Sequence, residues 1–255
     1  MAFINPKSYF INLSIIALLF FIWCDYASAF TITTPTKNKV GLVGHWTFDG
    51  KDMITGTVRD VSGNNTHGYM ENMATATARA NGKLGQGLKF FGGTTERVVI
   101  ASDPVGTGDM SASAWIYLKS YGTNARGYVF SSGPTAQPRY FRARGSPFKN
   151  IEFTNDNMTT VATSLTNSIE IGRWYFVTVT NTSAGVANIY INGQLNGSAN
   201  QSAGTPESGG TRLVYIGECL TQGTDSSFDG IIDDVRVFNR ILSAQEILQL
   251  YNMGR

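Results

Sequence analysis

The sequence predicts an all-β fold in which two antiparallel sheets pack as a β-sandwich, followed by one short α-helix. From residue 41 onward, short runs of β-branched and aromatic residues alternate with clusters of Gly, Asn, Ser and Asp, a rhythm typical of a multi-stranded sandwich. Several of these runs also alternate with a period of two, and a helical pattern occurs only close to the C-terminal end. A chain of 255 residues can form such a domain and bury its core without disulfides.

The N-terminal residues 1–29 are interpreted as an export signal. The run from Ile11 to Trp23 is almost wholly apolar, and the small residues Ala27 and Ala29 suit signal peptidase, so cleavage is expected before Phe30. The alternative is a membrane anchor, but a spanning helix needs about 20 apolar residues and this run is shorter. We therefore expect a secreted or cell-surface protein with no membrane span after cleavage.

The remaining chain divides into a flexible lead-in at residues 30–40, rich in Thr, and one folded domain at residues 41–255. A net charge of +2 is too small to indicate a nucleic-acid partner. Once the signal is removed, Cys219 is the only cysteine, so we expect no intrachain disulfide and a buried, unreactive thiol.

Three segments define the predicted elements most clearly. In residues 110–118 the even-numbered positions form one apolar face and the odd-numbered positions form the other, with Trp115 and Tyr117 on the latter. Asn192-Gly193 joins two alternating runs and predicts a type I′ hairpin. Ser243 and Glu246 form a capping box before an apolar stripe, which predicts the C-terminal helix.

Four segments in order carry a family resemblance. They are GLVGHWTFD at residues 41–49, DVSGNNTHG at 60–68, GRWYFVT with IYING at 172–178 and 189–193, and FDGIIDDVRVFNR at 228–240. Together they resemble the laminin-G-like jelly rolls of the concanavalin A-like lectin/glucanase superfamily, over essentially residues 41–251. The resemblance implies a two-sheet antiparallel jelly-roll β-sandwich. It does not select a function, because this fold hosts lectins, hydrolases, lyases and adhesion domains.

The sequence lacks the paired strand carboxylates that glycoside hydrolysis requires. Two carboxylates must flank the scissile bond, about 5–5.5 Å apart for retention or about 6.5–9.5 Å apart for inversion. Glu152 and Asp156 are the nearest substitute, but Asn155-Asp156-Asn157 reads as a turn that would carry Asp156 off the strand. We therefore expect no catalytic residues.

Asp49, Asp60 and Asp233 are the candidate metal ligands. The predicted strand at 230–238 places Asp233 on one face with Ile231 and Val235, where a lone carboxylate is costly unless it is bonded or binds a metal. The first and last strands of a jelly roll commonly pair, which would bring Asp49 towards Asp233. The resemblance implies a structural Ca²⁺ held by such carboxylates and loop carbonyls. Hydrogen-bonded aspartates without a metal are the open alternative, and His67 is expected to bond backbone groups.

Tyr140, Arg142 and Arg144 are the candidate ligand-binding residues. They share one strand face, and an aromatic ring beside two guanidinium groups suits a sugar ring with an acidic group. A solvated strand face is the alternative interpretation. Trp115 and Tyr117 are a second candidate groove, although packing between elements is expected for Trp46, Trp115 and Trp174.

These observations lead to a secreted, non-catalytic, lectin-like module that binds glycans or other cell-surface ligands. Two alternatives stay open at this point. One is a carbohydrate-active hydrolase or lyase with an unfamiliar active site, and the other is a cell-envelope adhesion or structural protein that binds other proteins.

Overall fold

The computed structural model describes residues 39–134, 138–154, 160–200, 212–219 and 227–255 of the 255-residue chain. The predicted export signal, most of the lead-in and Asp156 lie outside the described residues. Among the described residues, no helix combines the length and apolar character needed to cross a membrane.

The described part of the chain contains mostly strands. In chain order they are β1 (Leu42–Trp46), β2 (Met53–Ile54), β3 (Thr57–Val58), β4 (Gly68–Glu71), β5 (Arg79–Asn81), β6 (Gln86–Phe90), β7 (Arg97–Ile100), β8 (Met110–Leu118), β9 (Arg126–Pro134), β10 (Arg139–Arg144), β11 (Asn150–Thr154), β12 (Thr160–Thr163), β13 (Trp174–Asn181), β14 (Val186–Ile191), β15 (Gln194–Asn200), β16 (Arg212–Ile216) and β17 (Gly230–Phe238). The helices are α1 (Thr75–Ala78) and α2 (Ala244–Met253), with short 3₁₀ turns at Gly50–Asp52 and Thr123–Ala125.

The strands form two antiparallel sheets. The first sheet runs β15-β14-β13-β8-β17-β6-β5, and β1 also pairs with β17. The second sheet runs β12-β11-β10-β9-β16-β7-β4-β3-β2. This architecture confirms the predicted all-β sandwich with one short C-terminal helix.

The core lies between the two sheets and follows the predicted alternation. Met110, Ala112, Ala114, Ile116 and Leu118 of β8 are all fully or almost fully buried in it. On the second sheet, Phe141 and Ala143 of β10 meet this cluster. The two sheets therefore bury one face each against the other.

Helix α2 covers part of the outer face of the first sheet. Its buried residues Ile247 and Leu250 pack with Trp115 and Phe176 in a second apolar cluster. The helix begins at the predicted capping box. The Ser243 side chain accepts a hydrogen bond from the Glu246 amide, and the Glu246 side chain accepts one from the Ser243 amide. The odd-numbered face of β8 is therefore covered at Trp115.

The predicted hairpin joins β14 to β15 through Asn192 and Gly193. Their φ angles are 52° and 80°, which are the positive values that a type I′ turn requires. A Cβ on Gly193 would lie 2.9 Å from Cδ1 of Leu248, so the turn also packs closely on α2.

The first and last strands pair, as predicted, through Trp46 opposite Val235. A β-bulge interrupts β17 between Asp233 and Arg236, with a φ of 51° at Asp234. The bulge reverses the alternation, so Ile232 and Val235 both face the core. The expectation that Asp233 shares a face with Val235 is therefore wrong, because a strict period of two does not hold across the bulge.

A buried arginine–glutamate cluster as the candidate binding site

Strand β10 carries the predicted ligand-binding residues on the face of the second sheet that points away from the core. Because Phe141 and Ala143 enter the core, alternation directs Tyr140, Arg142 and Arg144 to the opposite face. This division of the strand confirms the predicted alternation of β10.

Glu152 on the neighbouring strand β11 lies directly opposite Arg142 and binds both arginines. Its Oε1 lies 2.5 Å from Nη2 of Arg142, and its Oε2 lies 2.7 Å from Nη1 of Arg144. One carboxylate therefore bridges two guanidinium groups, and the cluster carries one excess positive charge.

Two tyrosines complete this cluster. The Tyr128 and Tyr140 rings meet edge to face with centroids 4.7 Å apart, and Cys219 belongs to the same buried cluster. Cys219 is buried, as predicted. The guanidinium of Arg142 lies 5.2 Å and 5.3 Å from the two ring centroids and donates to the Tyr128 hydroxyl. Arg142 is therefore enclosed by aromatic rings on one side and by Glu152 on the other.

Burial and neighbouring groups shift the pKa of two members of this cluster, Tyr128 and Arg142. Burial raises the pKa of the Tyr128 phenol far above its ordinary value, so the hydroxyl stays neutral. Burial also acts to lower the pKa of Arg142, but Tyr128 and Glu152 outweigh it and raise that pKa. Arg142 therefore stays charged despite its burial.

The cluster is mostly enclosed, and Arg144 is its accessible part. The side chains of Arg142 and Glu152 are 9% and 2% exposed, whereas that of Arg144 is 28% exposed. Its guanidinium lies 4.0 Å from the centroid of the exposed Phe148 ring. We call Arg144 and Phe148 the exposed edge. Tyr140 and Arg142 are buried, and Arg142 is linked to the edge through Glu152.

Glu152 is thus an ion-pair partner of two arginines in this arrangement. Its proposed catalytic partner, Asp156, lies outside the described residues.

A second ion-pair network on the same sheet was not anticipated from the sequence. Arg97 binds Glu71 at 2.6 Å and Glu218 at 2.8 Å, and burial raises the pKa of Glu218. Glu71 and Glu218 lie 26 and 121 positions from Arg97 along the chain. Such separations leave no signal in local spacing, and only strand order brings them together.

Asp60, one of the candidate metal ligands, is an acceptor within a turn. Its two oxygens accept five hydrogen bonds, one from the His45 amide and two each from Ser62 and Thr66. Burial acts to raise its pKa, but these bonds outweigh it and lower the pKa. His67 accepts a hydrogen bond from the Asp60 amide at its Nδ1, which confirms the expectation that it bonds backbone groups.

Asp49 and Asp233 meet at one loop, between β5 and β6. Asp49 Oδ1 accepts from the Gln86 amide at 2.9 Å, and Asp233 Oδ2 accepts from the Lys83 and Leu84 amides at 2.7 Å and 2.8 Å. Gly82 is required there, because a Cβ on it would lie 2.5 Å from Asp233 Oδ2. The other Asp233 oxygen, Oδ1, is buried and has no hydrogen-bond partner.

The three aspartates do not gather into one oxygen cage. Asp60 binds its own turn, while Asp49 and Asp233 bind the β5–β6 loop. Within the described ranges, no three His, Cys, Asp or Glu side chains form a group that could hold a metal ion. The Ca²⁺ alternative accordingly depends on Asp49, Asp233 and backbone carbonyls.

Comparisons with known proteins agree with this fold. The Laminin_G_3 family, described as the Concanavalin A-like lectin/glucanases superfamily, matches residues 91–248. No curated protein sequence matches the chain significantly.

Three solved structures illustrate the likeness. Domain 4 of AbnA, a GH43 extracellular arabinanase from Geobacillus stearothermophilus in complex with arabinotriose, is 20% identical with a TM-score of 0.65, covering 82% of this chain and 98% of that one. The botulinum neurotoxin type C structure, which concerns interaction with two ganglioside molecules, is 19% identical with a TM-score of 0.62, covering 86% and 52%. The binding domain of Paraclostridial Mosquitocidal Protein 1 is 15% identical with a TM-score of 0.62, covering 85% and 53%.

The chain thus spans nearly all of the arabinanase domain but about half the length of the toxin domains. At these identities the likeness concerns the fold alone. The family match covers more than half of the sequence and agrees with the two-sheet architecture, so the chain belongs to the Laminin_G_3 family of the concanavalin A-like lectin/glucanase superfamily.

Proposed function

We propose that this protein is an exported, non-catalytic module that binds glycans at or outside the cell surface. The observation that carries the proposal is the exposed edge of the arginine–glutamate cluster, where the Arg144 guanidinium lies over the Phe148 ring. A planar donor group beside an aromatic face suits a sugar, because the ring contacts apolar C–H groups while the guanidinium binds hydroxyl or carboxylate oxygens.

The second sheet holds this edge rigidly. Glu152 fixes the Arg144 guanidinium from one side, and Arg142 fixes Glu152 within the sheet. A side chain that is already ordered loses less conformational entropy when a ligand binds. Because Glu152 leaves one positive charge in the cluster uncompensated, an acidic sugar fits the edge best.

Relatives of this fold support carbohydrate as the ligand class. The arabinanase domain was solved with arabinotriose, and the neurotoxin structure concerns gangliosides. Both proteins are distant, so the ligand of this chain is proposed from its own edge residues.

The two ion pairs of Glu152, with Arg142 and Arg144, support a non-catalytic role. Both oxygens of the Glu152 carboxylate are engaged by guanidinium groups, so neither is free to protonate a leaving group, to activate water or to attack a sugar. We expect the wild-type protein to release no reducing sugar from the glycans that it binds. Release that Glu152→Gln abolishes would overturn this part of the proposal.

Glycan-array binding followed by calorimetry tests the proposal directly. We expect binding to acidic glycans, with a loss of about tenfold or more in affinity for Arg144→Ala, which is about 1.4 kcal/mol. Arg59→Ala, which removes an exposed arginine elsewhere on the domain, is the matched control and should bind normally. Silence of the wild-type protein across neutral and acidic glycans would refute the proposal.

Two further parts of the proposal concern the compartment and calcium. Export predicts an N-terminus that begins at Phe30 in the mature protein, which mass spectrometry of secreted material measures. Ca²⁺ binding by Asp49 and Asp233 is supported by the unpartnered Asp233 Oδ1. Calorimetric titration of the metal-free protein with Ca²⁺ should give heat and a higher melting temperature. The absence of both would leave the aspartates as hydrogen-bonded turn residues.

A further inference from the structure

Four side chains form a straight row across the outer face of the first sheet. Lys89 of β6 lies opposite Ile231 of β17, Ile231 lies opposite Tyr117 of β8, and Tyr117 lies opposite Trp174 of β13. Residues that are directly opposite on adjacent strands point to the same face. We call these four residues the outer row. It spans three strand spacings, or about 14 Å from Lys89 to Trp174.

The outer row lies just beyond the part of the sheet that α2 covers. The next level along the strands contains Trp115 and Phe176, whose rings are covered by Tyr251 of the helix. All four residues of the row are only partly buried. Trp174 contacts the cluster under α2, in agreement with the predicted packing role, and it remains partly exposed.

Aromatic rings occupy one end of the row. The Tyr117 and Trp174 rings have centroids 5.6 Å apart and are tilted by 52°. The aliphatic Ile231 lies opposite Tyr117, next to this ring pair. A sugar ring placed there would cover its apolar C–H face, while its hydroxyl groups stay in water.

A cation marks the other end of the row. The Lys89 ammonium lies 4.3 Å from the centroid of the Phe91 ring, which holds it at the edge of the sheet. Exposed Lys119 lies two residues beyond Tyr117, and the exposed Arg173–Glu170 pair flanks Trp174. Exposed charged residues are therefore close in sequence to both rings of the aromatic end.

We infer that the outer row is a second glycan-binding site, in which a short linear oligosaccharide lies across the strands with one ring on Tyr117 and Trp174. The inference rests on the proposed function and adds a place that is independent of the exposed edge. The row is long enough for more than one sugar unit. Lys89 would bind a hydroxyl or carboxylate group at the far end of the oligosaccharide.

The dimensions of the row favour a glycan over a protein partner. A stable protein interface buries about 800 Å² on each partner and has an apolar centre. The outer row offers four partly buried side chains, and charged groups border it at Lys119 and Arg173. A narrow row that is aromatic at one end and carries a lysine at the other suits a sugar chain better than a protein surface.

Indole N–H signals in ¹H–¹⁵N spectra of the full chain test the inference site by site. The sequence has four tryptophans, so the signals of Trp46, Trp115 and Trp174 are each assigned by their loss in the corresponding phenylalanine variant, and the buried Trp46 and Trp115 serve as internal controls. The probes are arabinotriose as a neutral chain and trigalacturonate as an acidic one. We expect one of them to shift the Trp174 signal while the Trp46 and Trp115 signals stay in place. Equal shifts of all three signals would indicate a general conformational change and would overturn the inference.

Truncation of the aromatic end measures its contribution. The affinity for the probe that shifts the Trp174 signal is measured by calorimetry. Trp174→Ala and Tyr117→Ala should each lower this affinity by about tenfold. Tyr69→Ala, which removes an exposed tyrosine on the second sheet, is the matched control and should have no effect. If Trp174→Ala destabilises the fold, the conservative Trp174→Phe variant should keep binding through the remaining ring stack.

The outcomes separate the two proposals. Glycan binding that depends on Arg144 while the Trp174 signal does not move would overturn the outer row alone. Binding that depends on Trp174 and is unaffected by Arg144→Ala would support the outer row and refute the exposed edge. Absence of binding to either probe and to every glycan on the array would overturn both.

Discussion

The Nε2 of His45 lies 2.7 Å from the Oδ1 of Asp234, although 189 positions separate the two residues. The contact joins β1 to the bulge of β17, and Arg236 binds the same carboxylate at 3.0 Å. Burial acts to raise the pKa of Asp234, but the hydrogen bond to His45 and the charge of Arg236 outweigh it and lower the pKa. The first strand is thereby fastened to the last by a buried charge.

Asp234→Asn should lower the free energy of unfolding by about 3 kcal/mol at pH 7, because Arg236 is left without its buried counter-charge. Asparagine tolerates the positive φ of 51° at this position, so the substitution tests the charge and spares the backbone. Urea unfolding followed by tryptophan fluorescence measures the loss. Asp109→Asn is the control, because Asp109 accepts an exposed hydrogen bond from the Ser183 amide. It should lower the free energy of unfolding by less than about 1 kcal/mol.

Asp233 should make the metal-free protein, measured with a chelator present, less stable as the pH rises. Burial raises its pKa from 3.8 to about 7, against the opposing hydrogen bonds from the Leu84 and Lys83 amides and with the help of the neighbouring Asp234 charge. A raised pKa stabilises the folded state fully below pH 3.8, and that contribution is lost as the pH rises through about 7. The slope is at most about 1.4 kcal/mol per pH unit.

Asp233→Asn should remove this slope. Unfolding free energies measured in steps between pH 4 and pH 8 should fall less steeply for the variant than for the wild type. Equal slopes would show that Asp233 does not titrate in this range.

Glu152→Gln should lower the free energy of unfolding by about 3 kcal/mol, because two arginines then share a buried site without a counter-charge. The matched control is Glu170→Gln, whose ion pair with Arg173 has side chains 56% and 71% exposed. Solvent screens that pair, so its loss should change stability by less than about 0.5 kcal/mol. Similar values for the two variants in urea unfolding would contradict the structural role of Glu152.

Ser243→Ala should weaken α2 by about 1 kcal/mol, because it removes the side chain that caps the Glu246 amide. Arg240 lowers the pKa of Glu246 to about 2, so the stability from this carboxylate is present above pH 4.5 and is lost as the pH falls towards 2. Thermal unfolding at pH 7 measures the cap, and the same scan at pH 3 measures the carboxylate. A variant as stable as the wild type at pH 7 would show that the docked helix needs no cap.

The sequence predicts those parts of the fold that depend on local chemistry. Asn192-Gly193 can be read as a hairpin because few residue pairs accept two positive φ angles, and Ser243 with Glu246 marks a helix start. The bulge at Asp234 has no such signal, since an aspartate in a run of apolar residues fits an ordinary strand equally well. A single inserted residue there reverses the face of everything that follows.

The site was predictable in part for the same reason. Alternation along β10 places Tyr140, Arg142 and Arg144 together on one face. Their burial and the ion pairs with Glu152 depend on which strand pairs with β10. That pairing is a property of the strand order in the sheet. The outer row is a stronger example, because its four members come from four strands that are scattered along the chain and share only their register.

The pairing of β1 with β17 determines how the domain can be joined to other proteins. The chain starts and finishes the sandwich on neighbouring strands of one sheet, at Leu42 opposite Phe238. Strand β17 then continues into α2, so a segment that is spliced into a host protein has to run from β1 through Met253 to keep the helix that covers this sheet. A gene fusion that keeps this segment should therefore carry the outer faces of both sheets in the form that they have here.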